Sequence, residues 1–312
     1  MKTDNKLLEE NVAKTVYIVA APTMIHMFLE TSYHIIDAIW IGMLGSVALA
    51  AVASASFLLW LIFSCCSMVE IGVNSLVARY FGAGEKELQN EVSIFGIRFG
   101  IIVATIISLI FLPLLEPILN SMGLEPDVIY NGECFLIPIL VGLPIFAITI
   151  TCYAIFRGVG DTKTPLKILF FTLMINGLLA PILIFTANLG VSGGAIATVI
   201  AQSIAIALNI TILKKRNLIK KVDNVFLKPE IIKQIAKIGF PISVNSVIFC
   251  IVYLFLTKTI SQFGTAPIAA LGIGHRVESF AYCVSVGFSI AATTLVGQSL
   301  GAKNTVRIRE IA

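Results

Sequence analysis

The chain has 312 residues, of which 57% are hydrophobic and 13% are charged, and it carries a net charge of +4. Soluble domains carry about 25% charged residues, so this composition excludes an ordinary wetted surface and, with it, a soluble nucleic-acid-binding domain. The six cysteines all lie in apolar stretches and lack zinc-ligand spacing, which favours buried thiols over a metal site. The sequence contains no nucleotide-binding P-loop, hydrolase motif or zinc-protease motif, so we expect neither an enzyme nor an ATP-driven protein.

Eight apolar runs are long enough to cross a bilayer, which takes about 18 or more consecutive apolar residues in a helix. In chain order they are residues 15–43, 47–80, 91–118, 128–156, 167–187, 190–213, 237–261 and 267–299. Backbone groups in hydrocarbon must be satisfied within each segment, so we predict an all-α polytopic membrane protein. Residues 1–14 are polar and the first run is too long for a signal core, so we expect no secretory leader.

Basic residues alternate from loop to loop along the chain. They crowd the N-terminus, the even-numbered loops and the C-terminal tail, whereas the odd-numbered loops contain none. Of 22 basic residues, only Lys258 and Arg276 depart from this alternation. The positive-inside rule therefore predicts a cytoplasmic N-terminus and cytoplasmic even-numbered loops. The densest stretch, 214–237, carries eight basic residues, which suits contact with anionic lipid headgroups.

An internal repeat relates the start of the sequence to its end. A shift of 219 residues aligns Pro22 with Pro241, Gly45 with Gly264, Ala50 with Ala269, Leu76 with Leu295 and Gly82 with Gly301. The first copy begins at span one and the second at span seven, so a six-helix unit begins again in the same orientation. Parallel repeats of this kind are a transporter architecture in which the substrate site lies between the two halves.

The repeat predicts four regions. Residues 1–14 form a cytoplasmic N-terminus, 15–213 a first lobe of six transmembrane helices, 214–236 a basic cytoplasmic linker, and 237–312 the first two helices of a second lobe. Because the sequence stops after those two helices, we expect the chain to be C-terminally truncated relative to a complete two-lobe transporter.

Several motifs resemble those of one transporter family. The loop Arg157–Pro165 (RGVGDTKTP) resembles the RGxGDTxTP loop of the multidrug and toxic compound extrusion (MATE) transporters. Arg276–Phe280 together with Ala291–Ala302 looks like the eighth helix of that family, Val77–Ala83 like its second helix, and Gly193–Thr198 like the start of its sixth. The resemblance implies twelve helices in two six-helix lobes, drug export driven by H+ or Na+ entry, and a location in a prokaryotic plasma (inner) membrane.

The first span carries a polar stripe. His26, Glu30, Tyr33 and Asp37 are spaced by 4, 3 and 4 residues and so share one helical face. Asp37 lies roughly 35 Å of helix beyond Lys14, in the outer half of the membrane. An ionised carboxylate at mid-depth costs at least about 2.5–3.5 kcal/mol, so such a group must face a wet cavity, meet a cation or bind a proton. We interpret Asp37 as the coupling residue for H+ or Na+, and it matches the helix-one aspartate of the family. A carboxylate wetted at the outer helix end is the alternative.

Pro22 lies fifteen residues before Asp37 on the same predicted helix. A proline inside a helix removes one backbone hydrogen bond and favours a kink. The resemblance implies that a bend at this proline moves the polar stripe when Asp37 changes state, and a static kink is the alternative.

The family resemblance also supplies partners for Asp37. It places Asn176, Thr198 and Tyr33 in a polar cluster around the aspartate. In archaeal relatives helix five carries a second aspartate four residues after the asparagine, but here that position is Ala180.

Compared with those relatives, this cluster therefore lacks one carboxylate. Another carboxylate, Glu30, occupies a position where those relatives have a neutral amide. Two carboxylates close together hold a shared proton more readily than one, so we hypothesise that Glu30 and Asp37 form the coupling pair. In span eight, Arg276 and Glu278 are two residues apart and point in different directions, which leaves helix packing and cavity lining equally open as roles.

These observations together predict a secondary active antiporter that exports organic cations and amphipathic drugs in exchange for H+ or Na+. We expect no cofactor beyond the coupling ion and no metal other than Na+ at Asp37. The expected partners are small-molecule drugs and membrane lipids, with no nucleic acid and no obligate protein partner. Two alternatives are a lipid-linked oligosaccharide flippase, for whose diphosphate Arg276 is the strong cationic candidate, and a non-transporting fragment.

Overall fold

The computed structural model describes residues 10–220, 228–261 and 265–311, except the side chains of 253, 254, 257, 258, 260, 261 and 265–277. Every regular element in these ranges is helical. The helices are α1 (Val12–Gly42), α2 (Ser46–Gly82), α3 (Lys86–Phe111), α4 (Leu115–Ser121), α5 (Pro126–Val141), α6 (Leu143–Gly158), α7 (Lys163–Pro181), α8 (Val191–Lys215), α9 (Pro229–Ser261), α10 (Thr265–Gly301) and α11 (Thr305–Ile311). A 3-10 turn, Leu112–Leu114, precedes α4, and a π-helical turn, Ile182–Thr186, follows α7.

Seven segments of the described chain are long and apolar enough to cross a membrane, and the bent pair α5–α6 makes eight when it is counted as one span. The prediction of an all-α polytopic membrane protein is therefore confirmed. Helix α1 begins at a polar cap, because the side chain of Asn11 accepts a hydrogen bond of 3.0 Å from the amide of Ala13.

The fourth predicted span, 128–156, is broken rather than continuous. Helices α5 and α6 meet at Gly142 with a bend of 55°. The cause is Pro144, which has no amide hydrogen to donate to the carbonyl of Leu140 one turn earlier. That carbonyl instead accepts a hydrogen bond of 2.7 Å from the Ser108 hydroxyl of α3. The bend is thus stabilised by a side chain from the neighbouring helix.

The seventh helix begins earlier than the predicted span 237–261. Helix α9 starts at Pro229, so the last part of the predicted linker is helical. Proline suits a first helical position, where its missing amide hydrogen has no helical partner to lose, and Glu230 in the first turn complements the helix dipole. The basic residues after it therefore lie on a helical extension of the span.

The helix boundaries repeat in the register of the sequence repeat. A shift of 219 maps α2 (Ser46–Gly82) onto α10 (Thr265–Gly301) and the first residue of α3, Lys86, onto Thr305 at the start of α11. Pro22 and Pro241, which the same shift aligns, both lie inside their helices, α1 and α9.

Helix α2 is central and contacts α1, α3, α5, α6, α9 and α10. Small residues let its neighbours approach closely, as is usual where helices associate in a membrane. A Cβ added to Gly239 of α9 would collide with the main chain of Met68, and one added to Gly301 of α10 would collide with the main chain of Arg79. Farther along α9, the Ser243 hydroxyl donates to the Ser64 carbonyl at 2.5 Å. Helices α9 and α10 therefore pack on α2 through backbone contacts.

Candidate functional site

Asp37 lies in a buried polar cluster between α1, α7 and α8. Asp37 is 7% exposed, Asn176 on α7 is 0% exposed and Thr198 on α8 is 9% exposed. The Thr198 hydroxyl donates to Oδ2 of Asp37 at 3.3 Å, and Nδ2 of Asn176 donates to the Thr198 hydroxyl at 3.0 Å. Three helices thus supply one chain of hydrogen bonds that ends on the carboxylate.

Several oxygens of this cluster lack hydrogen bonds. Oδ1 of Asp37, Oδ1 of Asn176 and the Tyr33 hydroxyl are buried and have no hydrogen-bond partner within the described residues. The Tyr33 side chain lies beside Thr198 and Asn176 and interacts electrostatically with Asp37. Hard cations take oxygen ligands, and a carboxylate oxygen accepts a proton, so this group of oxygens suits either a small cation or H+.

The position of the second family aspartate is apolar in this chain. Ala180 lies one turn after Asn176 on α7 and is fully buried. It belongs to a hydrophobic cluster that includes Ile41 and Ile184. An apolar packing contact therefore occupies the place where the archaeal relatives have a carboxylate.

The structure does not bring Glu30 to Asp37 as a pair. Seven residues of helix, or about 10 Å, separate the two. Glu30 is exposed and lies within electrostatic range of Arg157 and Glu70 instead. Arg157, near the end of α6, is 5% exposed and its Nη1 lies 2.6 Å from Oε1 of Glu70 on α2. The polar face of α1 thus serves two separate clusters, one around Asp37 and one around Arg157.

The sequence motif that begins at Arg157 predicts a loop, whereas the Arg157 side chain is buried among the helices. The sequence offered one sign of this burial: Glu70 lies inside the apolar run 47–80 and Arg157 directly follows the run 128–156, and a charge buried in a membrane requires a partner. Sequence spacing cannot pair them, because they lie 87 residues apart.

His26 belongs to the Arg157 cluster rather than to the Asp37 cluster. It is 3% exposed, and its ring meets that of Tyr153 edge to face with centroids 5.2 Å apart. Pro22, one turn earlier, is half-buried, and α1 continues as one helix through it. Both C-terminal candidates lie on α10, where Glu278 is exposed and the side chain of Arg276 lies outside the described residues.

The rest of the motif that begins at Arg157 has a structural role. The Asp161 carboxylate accepts hydrogen bonds from the amides of Lys163 at 3.2 Å and Thr164 at 3.0 Å, and so caps the start of α7. The same carboxylate pairs with Arg216, just past the end of α8, which also donates to the Thr164 hydroxyl at 3.0 Å. The loop therefore fixes α7 against α8, the two helices that carry Asn176 and Thr198.

The family model described as MatE matches residues 22–182 and 241–312. Among curated relatives, the probable multidrug resistance protein YoeA of Bacillus subtilis is 24% identical over 316 residues, covering 98% of this chain and 68% of that protein. The probable multidrug resistance protein NorM of Halalkalibacterium halodurans is 27% identical over 321 residues, with 99% and 69% covered. The chain therefore spans about two thirds of the length of these relatives.

Solved structures agree with these matches. The Vibrio cholerae MATE transporter VcmN in its bent form has a TM-score of 0.88 at 26% identity, covering 96% of this chain and 68% of that one. A MOP superfamily transporter from Pyrococcus furiosus has a TM-score of 0.91 at 24% identity, covering 100% of this chain and 70% of that one. Since the family model matches most of its length, the chain belongs to the MATE family of multidrug efflux transporters, whose members are transporters rather than enzymes.

Proposed function

We propose that the chain takes part in secondary active efflux of organic cations and other amphipathic compounds, driven by entry of H+ or Na+. The buried Asp37 cluster is the observation that carries this proposal. A carboxylate in an apolar lobe, with oxygens still lacking partners, gains most from binding a cation or a proton. The names of the curated relatives, which describe multidrug resistance proteins, support the substrate class.

The geometry suggests how occupation of Asp37 is passed to the helices. The Thr198 hydroxyl has one hydrogen and two acceptors, Oδ2 of Asp37 at 3.3 Å and the carbonyl of Gly194 at 3.1 Å. When Asp37 is ionised, the carboxylate competes strongly for that hydrogen. When Asp37 binds a proton or Na+, the hydrogen turns to Gly194 and the tie between α1 and α8 weakens. A bend of α1 at Pro22 is the movement that this release would permit.

The proposal includes a two-lobe arrangement. Helices α1 to α8 form the first lobe of six spans, and α9 and α10 begin a second, parallel lobe, with the compound carried between them. The coincidence of helix boundaries under the 219-residue shift supports this division. The positive-inside rule supports an orientation with the basic, even-numbered loops in the cytoplasm. The bacterial sources of the curated relatives support a prokaryotic plasma-membrane location.

The flippase alternative gains less support. A lipid diphosphate requires cationic groups that are free to bind it, and Arg157, a buried cation of the first six spans, is held by Glu70 at 2.6 Å, while the side chain of the candidate Arg276 lies outside the described residues. The charge of Arg157 is therefore already neutralised by Glu70.

The test reconstitutes the protein into liposomes and follows efflux of a fluorescent organic cation under an imposed H+ gradient or Na+ gradient, applied separately. Asp37→Asn keeps the shape of the side chain and removes its ionisable group, so gradient-driven efflux should be lost. Asp127→Asn, the same change at an exposed position in the first turn of α5, is the matched control and should leave efflux unchanged. Undiminished efflux by Asp37→Asn would refute the role of this carboxylate.

A further inference from the structure

Helices α2 and α10 cross main chain to main chain at the end of the molecule that carries the basic loops. A Cβ added to Gly82 would collide with the main chain of Gln298, and one added to Gly301 would collide with the main chain of Arg79. The 219-residue shift maps Gly82 onto Gly301 and Arg79 onto Gln298. The crossing therefore contains the same contact twice, once in each direction, as at an interface with two-fold symmetry.

A contact from Arg307 joins the start of α11 to the start of α1. Arg307 is 7% exposed, and its Nη2 donates to the Glu10 carbonyl at 2.8 Å and lies 3.4 Å from the Thr15 hydroxyl. Asn304 caps α11, because its side chain accepts a hydrogen bond of 3.0 Å from the amide of Arg307. A buried guanidinium thus ties the second repeat to the main chain of the first. We call the hydrogen bond between Arg307 and Glu10 the Arg307 contact.

A contact from Lys228 joins the start of α9 to the start of α3. Its Nζ lies 2.6 Å and 2.7 Å from the two carboxylate oxygens of Glu91, and we call this ion pair the Lys228 contact. The 219-residue shift maps Glu10 onto Pro229, next to Lys228, and Glu91 onto Glu310, three residues after Arg307. In both directions, therefore, the start of the first helix of one repeat is held to the start of the third helix of the other.

Polar side chains fill the interface beside these contacts. The Thr294 hydroxyl on α10 donates to Oδ1 of Asn74 on α2 at 3.4 Å, and Nε2 of Gln298 donates to the Gly158 carbonyl at 2.9 Å. Ser299 is fully buried, and its hydroxyl has no hydrogen-bond partner among the residues that the structure describes. Water can replace such hydrogen bonds, so these helices can separate without leaving bare polar groups. Separation would also give the Ser299 hydroxyl a partner.

We propose that the Arg307 contact and the Lys228 contact together hold closed a gate formed by the ends of α2 and α10. Both contacts must release before an exported compound can enter from the side of the basic loops. The inference rests on the two-lobe export function proposed above, because a gate has a role only in a protein that opens to each side in turn.

The two contacts are expected to differ in strength. Arg307 is buried and donates a charge-assisted hydrogen bond, whereas the side chains of Lys228 and Glu91 are 40% and 22% exposed. Solvent weakens an exposed ion pair, so loss of the Arg307 contact should open the gate more than loss of the Lys228 contact.

The test measures opening of the gate in proteoliposomes with no ion gradient and no drug. The reporter is Ser299→Cys, which changes the size of a buried side chain very little, and the probe is the membrane-permeant reagent N-ethylmaleimide. Cys152, fully buried in α6, is the one native cysteine retained, and its labelling reports general loosening of the protein. Mass spectrometry follows the labelling rates of both thiols, which should be slow while the two contacts are intact.

Two charge-removing variants should speed the labelling of the reporter alone. Arg307→Gln should raise its rate about tenfold, and Lys228→Gln about threefold. Arg309→Gln on α11 and Lys233→Gln on α9, both at exposed positions, are the matched controls and should leave the rate unchanged. The charge exchange Glu91→Lys with Lys228→Glu should restore slow labelling. Should Arg307→Gln aggregate, the Lys228 series still decides the proposal.

Unchanged labelling of the reporter in both Arg307→Gln and Lys228→Gln would overturn the gate. An equal rise in the two matched controls, or at Cys152, would overturn it as well, because the effect would then not be specific to the two contacts. Absence of gradient-driven efflux in the unaltered chain, together with the expected labelling rates, would instead refute the export function and leave the releasable contacts in place. The two failures are therefore distinguishable.

Discussion

The hydroxyl of Thr198 lies 3.3 Å from Oδ2 of Asp37 and joins α8 to α1 inside the first six spans. Thr198 also accepts the amide hydrogen of Asn176, so it is the middle member of a chain of hydrogen bonds across three helices. In the proposed mechanism, Thr198 is the residue through which ion binding at Asp37 would affect α7 and α8.

Thr198→Val removes this hydroxyl and keeps the size of the side chain. We expect the apparent affinity for the coupling ion to rise between about twofold and tenfold, because the lost hydrogen bond stabilises the ion-free carboxylate and one buried hydrogen bond contributes about 0.5–1.5 kcal/mol. Gradient-driven efflux at a series of ion concentrations measures this change. Thr211→Val is the matched control on α8, because Thr211 is exposed and bonds only the carbonyl of Ala207 one turn earlier. Equal behaviour of the two variants would argue against a role for Thr198.

The Arg157–Glu70 ion pair should be a strong local determinant of stability. Arg157→Met leaves two carboxylates without their counter-charge, and breaking a buried pair in this way costs about 3–5 kcal/mol. Thermal unfolding in detergent should show a clear drop in Tm. The double variant Arg157→Met, Glu70→Gln should recover a large part of it, because no uncompensated charge then remains at the original pair. Additive losses in the double-mutant cycle would show that the two residues act independently.

Close packing of α9 on α2 predicts that alanine substitution lowers the stability of the protein at Gly239 on α9 but not at Gly177 on α7. A Cβ at Gly239 would collide with the main chain of Met68, which cannot move as a flexible side chain could. We expect Gly239→Ala to lower the stability by about 1–3 kcal/mol through overpacking. Gly177→Ala, on α7 where a Cβ meets open space, should be neutral or stabilising by about 0.5–1 kcal/mol. Similar melting temperatures for both variants would contradict the described packing of α9 on α2.

The topology prediction is tested by cysteine labelling in a cysteine-free background of intact cells. A cysteine introduced in the fourth loop by Lys163→Cys should be protected from a membrane-impermeant thiol reagent. A cysteine introduced in the third loop by Glu125→Cys should be labelled. Both positions are exposed, whereas Thr162 next to the first is buried and would be protected on either side. Labelling of the fourth loop from outside would reverse the orientation derived from the basic loops.

Much of the architecture was available from the sequence. The long apolar runs predicted the helices, since hydrocarbon forces backbone groups to pair within a segment. The 219-residue register predicted that α10 would repeat α2, and their boundaries coincide under that shift. Spacing along one helix also predicted that Tyr33 and Asp37 share one face of α1, because the positions of side chains around a helix follow from its period.

The break between α5 and α6 and the partner of Glu30 were decided by the tertiary structure. The presence of Pro144 in the sequence implies that the carbonyl of Leu140 loses its helical hydrogen bond. Only the packing of the helices brings the Ser108 hydroxyl to that carbonyl. The spacing of Glu30 and Asp37 indicated a pair, yet the lateral arrangement of α1, α2 and α6 places Glu30 near Arg157. The sequence by itself determines the face and the depth of a residue in a helix. Which neighbouring helix meets that face depends on contacts between residues far apart in the chain, such as Glu70 and Arg157, and only the packed structure brings them together.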